Sequence, residues 1–305
     1  MIELFNIPNH KIDTSKFSHL LHGNIVQEFE KNFAEYVGAK YACSANSASS
    51  LIYLALKSFS PTAVSLPSTI PVVVPNMVVN AGHRIRWFND DDWVGSHYHL
   101  HENIIDSAQE VTKDQFSNFG QDDALMIFSF YPTKPVSGCD GGIVVSNDKE
   151  RIDAFRVMTT NGTSVDKDSW KREHIWPGYK MHWTSIQAYI ANENLKKINE
   201  KNRILDKINA VYNEAFGYNN KSRHLYRIRV KDNKKFLNEM LNEGIKCGIH
   251  YEHCHGKVFS PYELGPLSDL SRSEKTSSQT ASIPFHEELT NDDISKVIHY
   301  AKKYN

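Results

Sequence analysis

Apolar positions recur at helical spacing at Val26, Phe29, Phe33 and Val37 among Glu, Lys and Gln, which predicts an amphipathic helix packed on a core over residues 26–37. Residues 41–44 then read as a strand, Asn46 to Ser50 as a turn of small residues, and 51–56 as a helix. The runs 63–67, 84–88, 103–106, 124–130 and 142–146 are apolar and of strand length, with helical or loop stretches between them. That alternation predicts an α/β fold with a mainly parallel sheet. Residues 185–216 carry a long helical pattern, with Ile186, Ile190, Leu195, Ile198, Leu205, Ile208 and Val211 near one face, expected to link two lobes. Beyond it, 224–230 alternates as a strand, 233–242 is helical and 245–249 is again strand-like, so a small α+β domain over 216–305 should follow a large domain over 1–215. Residues 267–282 are polar and Ser-rich and read as a loop. Thr290-Asn-Asp-Asp293 opens a last helix in the manner of a capping box.

Composition narrows the function without naming it. The 305 residues are enough for a sizeable core, and 35 basic against 36 acidic side chains leave a net charge of -1. Such a balance gives no general attraction to nucleic acid or anionic membrane, so a small ligand fits better. Cys43, Cys139, Cys247 and Cys254 lack a framework spacing, which points to free thiols in a reducing compartment. The start, Met1-Ile-Glu-Leu-Phe-Asn, has no basic stretch followed by an apolar one, and cytoplasmic residence is expected. The longest apolar region, 71–81, is interrupted by Pro75, Asn76 and Asn80 and is too short to span a bilayer. Cys247, His250, His253, Cys254 and His255 do not match the common zinc-ligand spacings, so no metal is expected there.

The chemistry concentrates in Ser129-Phe-Tyr-Pro-Thr-Lys134-Pro-Val-Ser-Gly-Cys-Asp-Gly-Gly142, where a core strand delivers a single lysine to a sheet edge. Burial disfavours an ammonium, and a neutral amine is the form that attacks a carbonyl to make a Schiff base. Asp106 ends another short apolar strand, at the edge where open α/β sheets bind ligands. Alone it reads more readily as a helix cap. Together, a carboxylate and a lysine from neighbouring strands are what pyridoxal phosphate needs: one holds the pyridine nitrogen protonated, the other carries the aldehyde. Asn46 to Ser50 would open a helix whose N–H groups can hold a phosphate, with Ser129 as a further donor.

With these pieces the chain resembles the DegT family of pyridoxal phosphate-dependent nucleotide-sugar aminotransferases, over nearly its whole length. The matching stretches are Phe29-Glu-Lys-Asn-Phe-Ala-Glu-Tyr-Val-Gly38, Leu66-Pro-Ser68, Ile105-Asp-Ser-Ala-Gln109, Phe128-Ser-Phe-Tyr-Pro-Thr-Lys134 with Asp140-Gly-Gly142, Gly178-Tyr-Lys-Met-His182, Ile186-Gln-Ala188, Gly244-Ile245, His250-Tyr251 with His255, and Ile283-Pro-Phe-His286 before Leu289-Thr290. The resemblance implies fold type I, a seven-strand-type sheet in reduced form, and a homodimer with a shared active site. It makes Lys134 the Schiff-base lysine and proton shuttle and Asp106 the partner of the pyridine nitrogen. Gln109 would contact the cofactor ring, and Ser129, Ser47 and Ala48 its phosphate. Lys180, on a loop reaching the neighbouring subunit, would approach the phosphate too, and His250, Tyr251 and His255 the substrate. It further implies a ping-pong transfer of an amino group, from glutamate, to a nucleotide-linked keto-deoxysugar. A dehydratase branch of the same fold typically carries histidine at the lysine position, and Lys134 argues against it; the other alternative is a non-catalytic descendant of the family that binds a sugar nucleotide or a partner protein. The chain departs from the family at Ser47-Ala48, where Gly-Thr is usual, and at Pro71, where an aromatic residue commonly stacks on the cofactor. It departs also at Lys180 and His182, which replace Asn and Arg, at Asp140, which replaces Glu, and between Asp92 and Asn103, where a strand-helix unit is missing.

Overall fold

The computed structural model describes residues 1–16, 18–21, 23–165 and 171–305. In chain order the elements are α1 (Asn24–Val37), β1 (Tyr41–Ala45), α2 (Ala48–Lys57), β2 (Ala63–Pro67), α3 (Val73–Asn80), β3 (Arg84–Phe88), β4 (Tyr98–His101), β5 (Ile104–Asp106), α4 (Gln115–Phe119), β6 (Leu125–Ser129), β7 (Gly142–Ser146), α5 (Lys149–Thr159), β8 (Thr163–Val165), β9 (Arg172–His174), α6 (Ser185–Leu195), α7 (Ile198–Phe216), β10 (Tyr226–Arg229), α8 (Asn233–Asn242), α9 (Ser271–Gln279), β11 (Thr280–Ile283) and α10 (Asn291–Tyr304). They pack as two compact units, each built from separate stretches of chain. One comprises Asn9–Ser60 and His97–Lys196; the other comprises Met1–Pro8, Pro61–Ser96 and Lys197–Asn305. This partition follows packing, and differs from a single cut near residue 215.

The first unit holds a five-stranded sheet in the order β1-β7-β6-β5-β4. It is mixed, which corrects the mainly parallel expectation: only β5 and β6 run parallel, while β1/β7, β6/β7 and β4/β5 are antiparallel. The connections explain the directions. A helix, α4, intervenes between β5 and β6 and permits a parallel return, whereas no helix separates β6 from β7 or β4 from β5. β6 and β7 are buried throughout. Phe29 and Phe33 of α1 meet Phe128, Phe130 and Trp183 edge-on or tilted, at ring separations of 4.9 to 5.3 Å.

β1 is the end strand, and residues 42 and 44 share the parity that faces away from β7. Side chains occupy those positions. The Ser44 N–H and hydroxyl donate to Glu30 at 2.8 and 2.7 Å, and Arg156 donates at 2.8 Å both to the Ala42 carbonyl and to Glu30.

The second unit contains the parallel pair β2/β3 joined through α3, and the antiparallel pair β10/β11. Its core gathers Leu205, Ile208 and Tyr212 of α7, Tyr226 and Ile228, Phe236 and Met240, and Ile294 and Val297. The final helix begins as expected, with Thr290 and Asp293 forming a capping box. Three local expectations change. The helix over 185–216 is two helices, α6 and α7, with the passage between the two units falling at Lys196 and Lys197. Residues 245–249 form isolated bridges, Ile2 to Ile245 and Gly248 to Ser282, in place of a strand. The segment 267–282 contains α9 and most of β11. α9 escaped detection because its inward face is serine: Ser273 and Ser277 are buried, with Ser273 donating to Asn89 and Ser277 accepting from the His253 N–H. Among the described residues no helix is long and apolar enough to cross a membrane.

Candidate active site

Gly142 is the geometric centre of one half of the site. It pairs with Ala45 of β1 and with Ser129 of β6, and a Cβ built on it would stand 2.4 Å from the Ala48 nitrogen and 2.8 Å from the Ser47 carbonyl carbon. Only a residue without a side chain lets β7 lie this close to the start of α2. Ser47, Ala48 and Ser129 are thereby brought around one point. Ser47 caps α2, its hydroxyl accepting from the Ser50 N–H at 3.1 Å, and the turn is tightened by Ser50 donating to Asn46 at 2.7 Å. The first N–H groups of a helix have no partner within it, so this end of α2 is suited to an anion. Ser129 is buried, its Oγ accepting from the Tyr131 N–H at 3.3 Å.

The other half is built by β5 and the loop after β6. Asp106 ends β5 opposite Ile127 and is only 4 % exposed. Tyr98 donates to its Oδ2 at 2.7 Å, and the Ala108 N–H donates to its Oδ1 at 2.9 Å. Burial pushes the Asp106 carboxyl above the usual carboxylate range; the Tyr98 hydroxyl, the Ala108 N–H and the charge of Lys134 oppose that rise. Lys134 sits in a turn closed by its N–H donating to the Tyr131 carbonyl at 2.9 Å, and the turn is anchored by Gly138 and Phe130 backbone bonds. Its side chain is half-buried. Burial pushes its amine down to about 8, with Asp106 pulling the other way. Gln109 is buried in the loop after β5.

The remaining predicted residues lie elsewhere. Lys180 is exposed, on a loop whose Met181 carbonyl accepts from the Asn46 N–H at 2.7 Å. His250, Tyr251 and His255 belong to the second unit. There His250 Nδ1 is 2.9 Å from the Ser282 hydroxyl, Tyr251 stacks parallel to Trp93, and His255 bridges the Ser68 hydroxyl and Glu274. In the same stretch Cys254 Sγ donates to the Ile70 carbonyl, and Cys247 packs against the apolar core. Tyr98 was not among the residues singled out from sequence. Tyr98-His-Leu-His101 followed by Glu-Asn and Ile104-Ile-Asp106 has the form of a short hairpin, but a regular two-residue turn would put His99 across from Asp106; the register shift between His99 and His101 is what brings Tyr98 there.

A half-buried lysine with a lowered amine, a buried carboxylate within its electrostatic reach, and a glycine-made cradle at a helix start fit pyridoxal phosphate as a donor set. Known proteins agree with that fit. The profile described as the DegT/DnrJ/EryC1/StrS aminotransferase family matches residues 9–85 and 104–302. A UDP-4-amino-4,6-dideoxy-N-acetyl-beta-L-altrosamine transaminase of Campylobacter jejuni subsp. jejuni serotype O:23/36 is 27% identical over a 338-residue alignment covering 90% of this chain and 88% of that protein. The alignment is longer than the chain, so that relative carries residues absent here. In structure, Helicobacter pylori PseC, described as an aminotransferase involved in the biosynthesis of pseudoaminic acid, superposes with a TM-score of 0.78 at 18% identity over 98% of both chains. The pyridoxal phosphate form of the putative sugar aminotransferase Spr1654 from Streptococcus pneumoniae superposes at 0.79 and 15% identity over 99% of both.

Proposed function

Since the chain belongs to the DegT/DnrJ/EryC1/StrS aminotransferase family of pyridoxal phosphate-dependent enzymes, we propose that it transfers an amino group, from glutamate, to a nucleotide-linked keto-deoxysugar in sugar or polysaccharide biosynthesis. The observation that carries the chemistry is the pairing of Lys134 with buried Asp106 beside the Gly142 cradle. The sugar substrate rests on the named activity of the Campylobacter relative and the described role of PseC.

Bound pyridoxal phosphate supplies an aldehyde that carries the amino group and a ring that accepts electron density from the carbon losing its proton. Asp106 would hold the ring nitrogen's proton through a charge-assisted hydrogen bond. The N–H groups at Ser47 and Ala48, with Ser129, would hold the phosphate, and Gln109 would contact the ring. Lys134 would hold the aldehyde and, when free of it, would move the proton at the substrate carbon, as base and then acid. Its lowered amine suits both roles near neutral pH. Lys180, exposed on its loop, would approach the phosphate held by a neighbouring subunit, and His250, Tyr251 and His255 would contact substrate. We further propose a cytoplasmic homodimer, supported by apolar side chains left exposed at Leu20, Tyr131, Ile175 and Trp176.

Incubation with pyridoxal phosphate, borohydride reduction and peptide mapping should find the cofactor on Lys134. The pyridoxamine-loaded protein should then return to its original spectrum with a nucleotide keto-sugar, and glutamate should reload it. No labelled lysine, or label equally on Lys134→Ala protein, sinks the proposal.

A further inference from the structure

The family profile passes over residues 86–103, yet this stretch supplies β4, whose Tyr98 stands directly opposite Asp106 in the antiparallel β4/β5 register. Facing residues of such a pair project to the same side of the sheet. Both carboxylate oxygens of Asp106 thus receive a fixed donor, the Tyr98 hydroxyl at 2.7 Å and the Ala108 N–H at 2.9 Å. Neighbouring contacts brace the arrangement. His97 Nδ1 lies 2.6 Å from Glu110 Oε2, the Ser107 hydroxyl donates to the Glu110 carbonyl at 2.9 Å, and the Gln115 amide donates to Ser107 Oγ at 2.7 Å. The residue before Tyr98 is therefore tied to the residue after Gln109.

Resting on the pyridoxal phosphate reading above, we propose that Tyr98 is a positioning residue acting through Asp106: its hydroxyl orients the carboxylate and moderates its basicity, so that a proton shared with the cofactor's ring nitrogen stays on the nitrogen. A donor to a carboxylate stabilises the charged form. Burial alone works in the opposite direction at Asp106, and the other groups that favour its charge are Lys134 and the Ala108 N–H. Without the hydroxyl the buried acid keeps the proton more readily, and the ring becomes a poorer electron acceptor. The hairpin thereby contributes a part of the site that the family profile does not cover.

The test loads the full-length protein with pyridoxal phosphate isotope-labelled at the ring nitrogen and follows that nucleus by NMR. Wild type should give the signal of a protonated nitrogen, and Tyr98→Phe a signal displaced toward the unprotonated value. Affinity for pyridoxamine phosphate, which makes no bond to Lys134, should fall about tenfold in Tyr98→Phe, the effect of one hydrogen bond to a charged group. A fluorinated tyrosine at Tyr98 is a stronger donor of nearly the same size and serves even where the phenylalanine variant fails to fold; it should move the signal further toward the protonated value. A nitrogen signal and an affinity indifferent to both changes overturn the inference alone. Wild-type protein that takes up no pyridoxal phosphate overturns the functional reading as well.

Discussion

Lys134 and Asp106 are a matched pair because each is perturbed by burial and each relieves the other. For Lys134 this has a sign that can be measured. In cofactor-free protein the rate of pyridoxal phosphate capture should rise with pH through a midpoint near 8, where the buried amine becomes neutral, instead of near the ordinary 10.5. A midpoint at the ordinary lysine value would mean that the amine is solvated. The same displacement means that the unfolded chain holds a proton between about 8 and 10.5 that the folded chain has lost. Folding is therefore penalised most below that window and gains as pH rises through it. Both residues were legible in sequence because each sits at the end of a short apolar run, a place where a charged side chain needs a reason. Tyr98 was not, because a tyrosine among alternating residues looks like any half-buried strand position. Its use depends on register, which the pattern of one strand does not contain.

At the scale of elements, the apolar strands β1, β2, β3, β5, β6, β7 and β10 could be found but their directions could not, and the short or polar β4, β8, β9 and β11 left too little apolar pattern to find. Runs such as 124–130 announce a buried strand, and burial on both faces suits a parallel sheet, yet direction is decided by what the chain does between strands. The same limit hid α9, whose inner face is built from hydrogen-bonded serines rather than an apolar stripe. Where β7 meets α2 the constraint is steric. Gly142→Ala would press a methyl group against the backbone of Ala48 and Ser47, neither of which can swing aside. We expect it to cost about 1–3 kcal/mol in urea unfolding and to weaken pyridoxal phosphate binding as the cradle opens. Unchanged stability and binding would show that β7 and α2 can separate without consequence.

For the molecule as a whole, Lys134, Asp106, Gln109, Ser129, Ser47 and Ala48 all belong to the unit formed by Asn9–Ser60 and His97–Lys196. Cofactor that binds only the folded chain should stabilise it by about 2.7 kcal/mol at a hundredfold excess over Kd, seen as a higher melting temperature. Lys134→Ala, left with the noncovalent contacts, should show a smaller rise at the same cofactor concentration; an equal rise would mean that the covalent anchor adds nothing. The interleaved chain path of the two units was not legible, since no composition change marks the points where the chain leaves and returns. One detail of the five-stranded sheet bears on how this molecule behaves in a crowded solution. The outward N–H of Ser44 and the outward carbonyl of Ala42 are already engaged by Glu30 and Arg156, so a stray extended segment from another chain finds that border closed. The two charged side chains guard this border of the sheet against added strands, a protection that strand pairing alone could not give to a terminal strand.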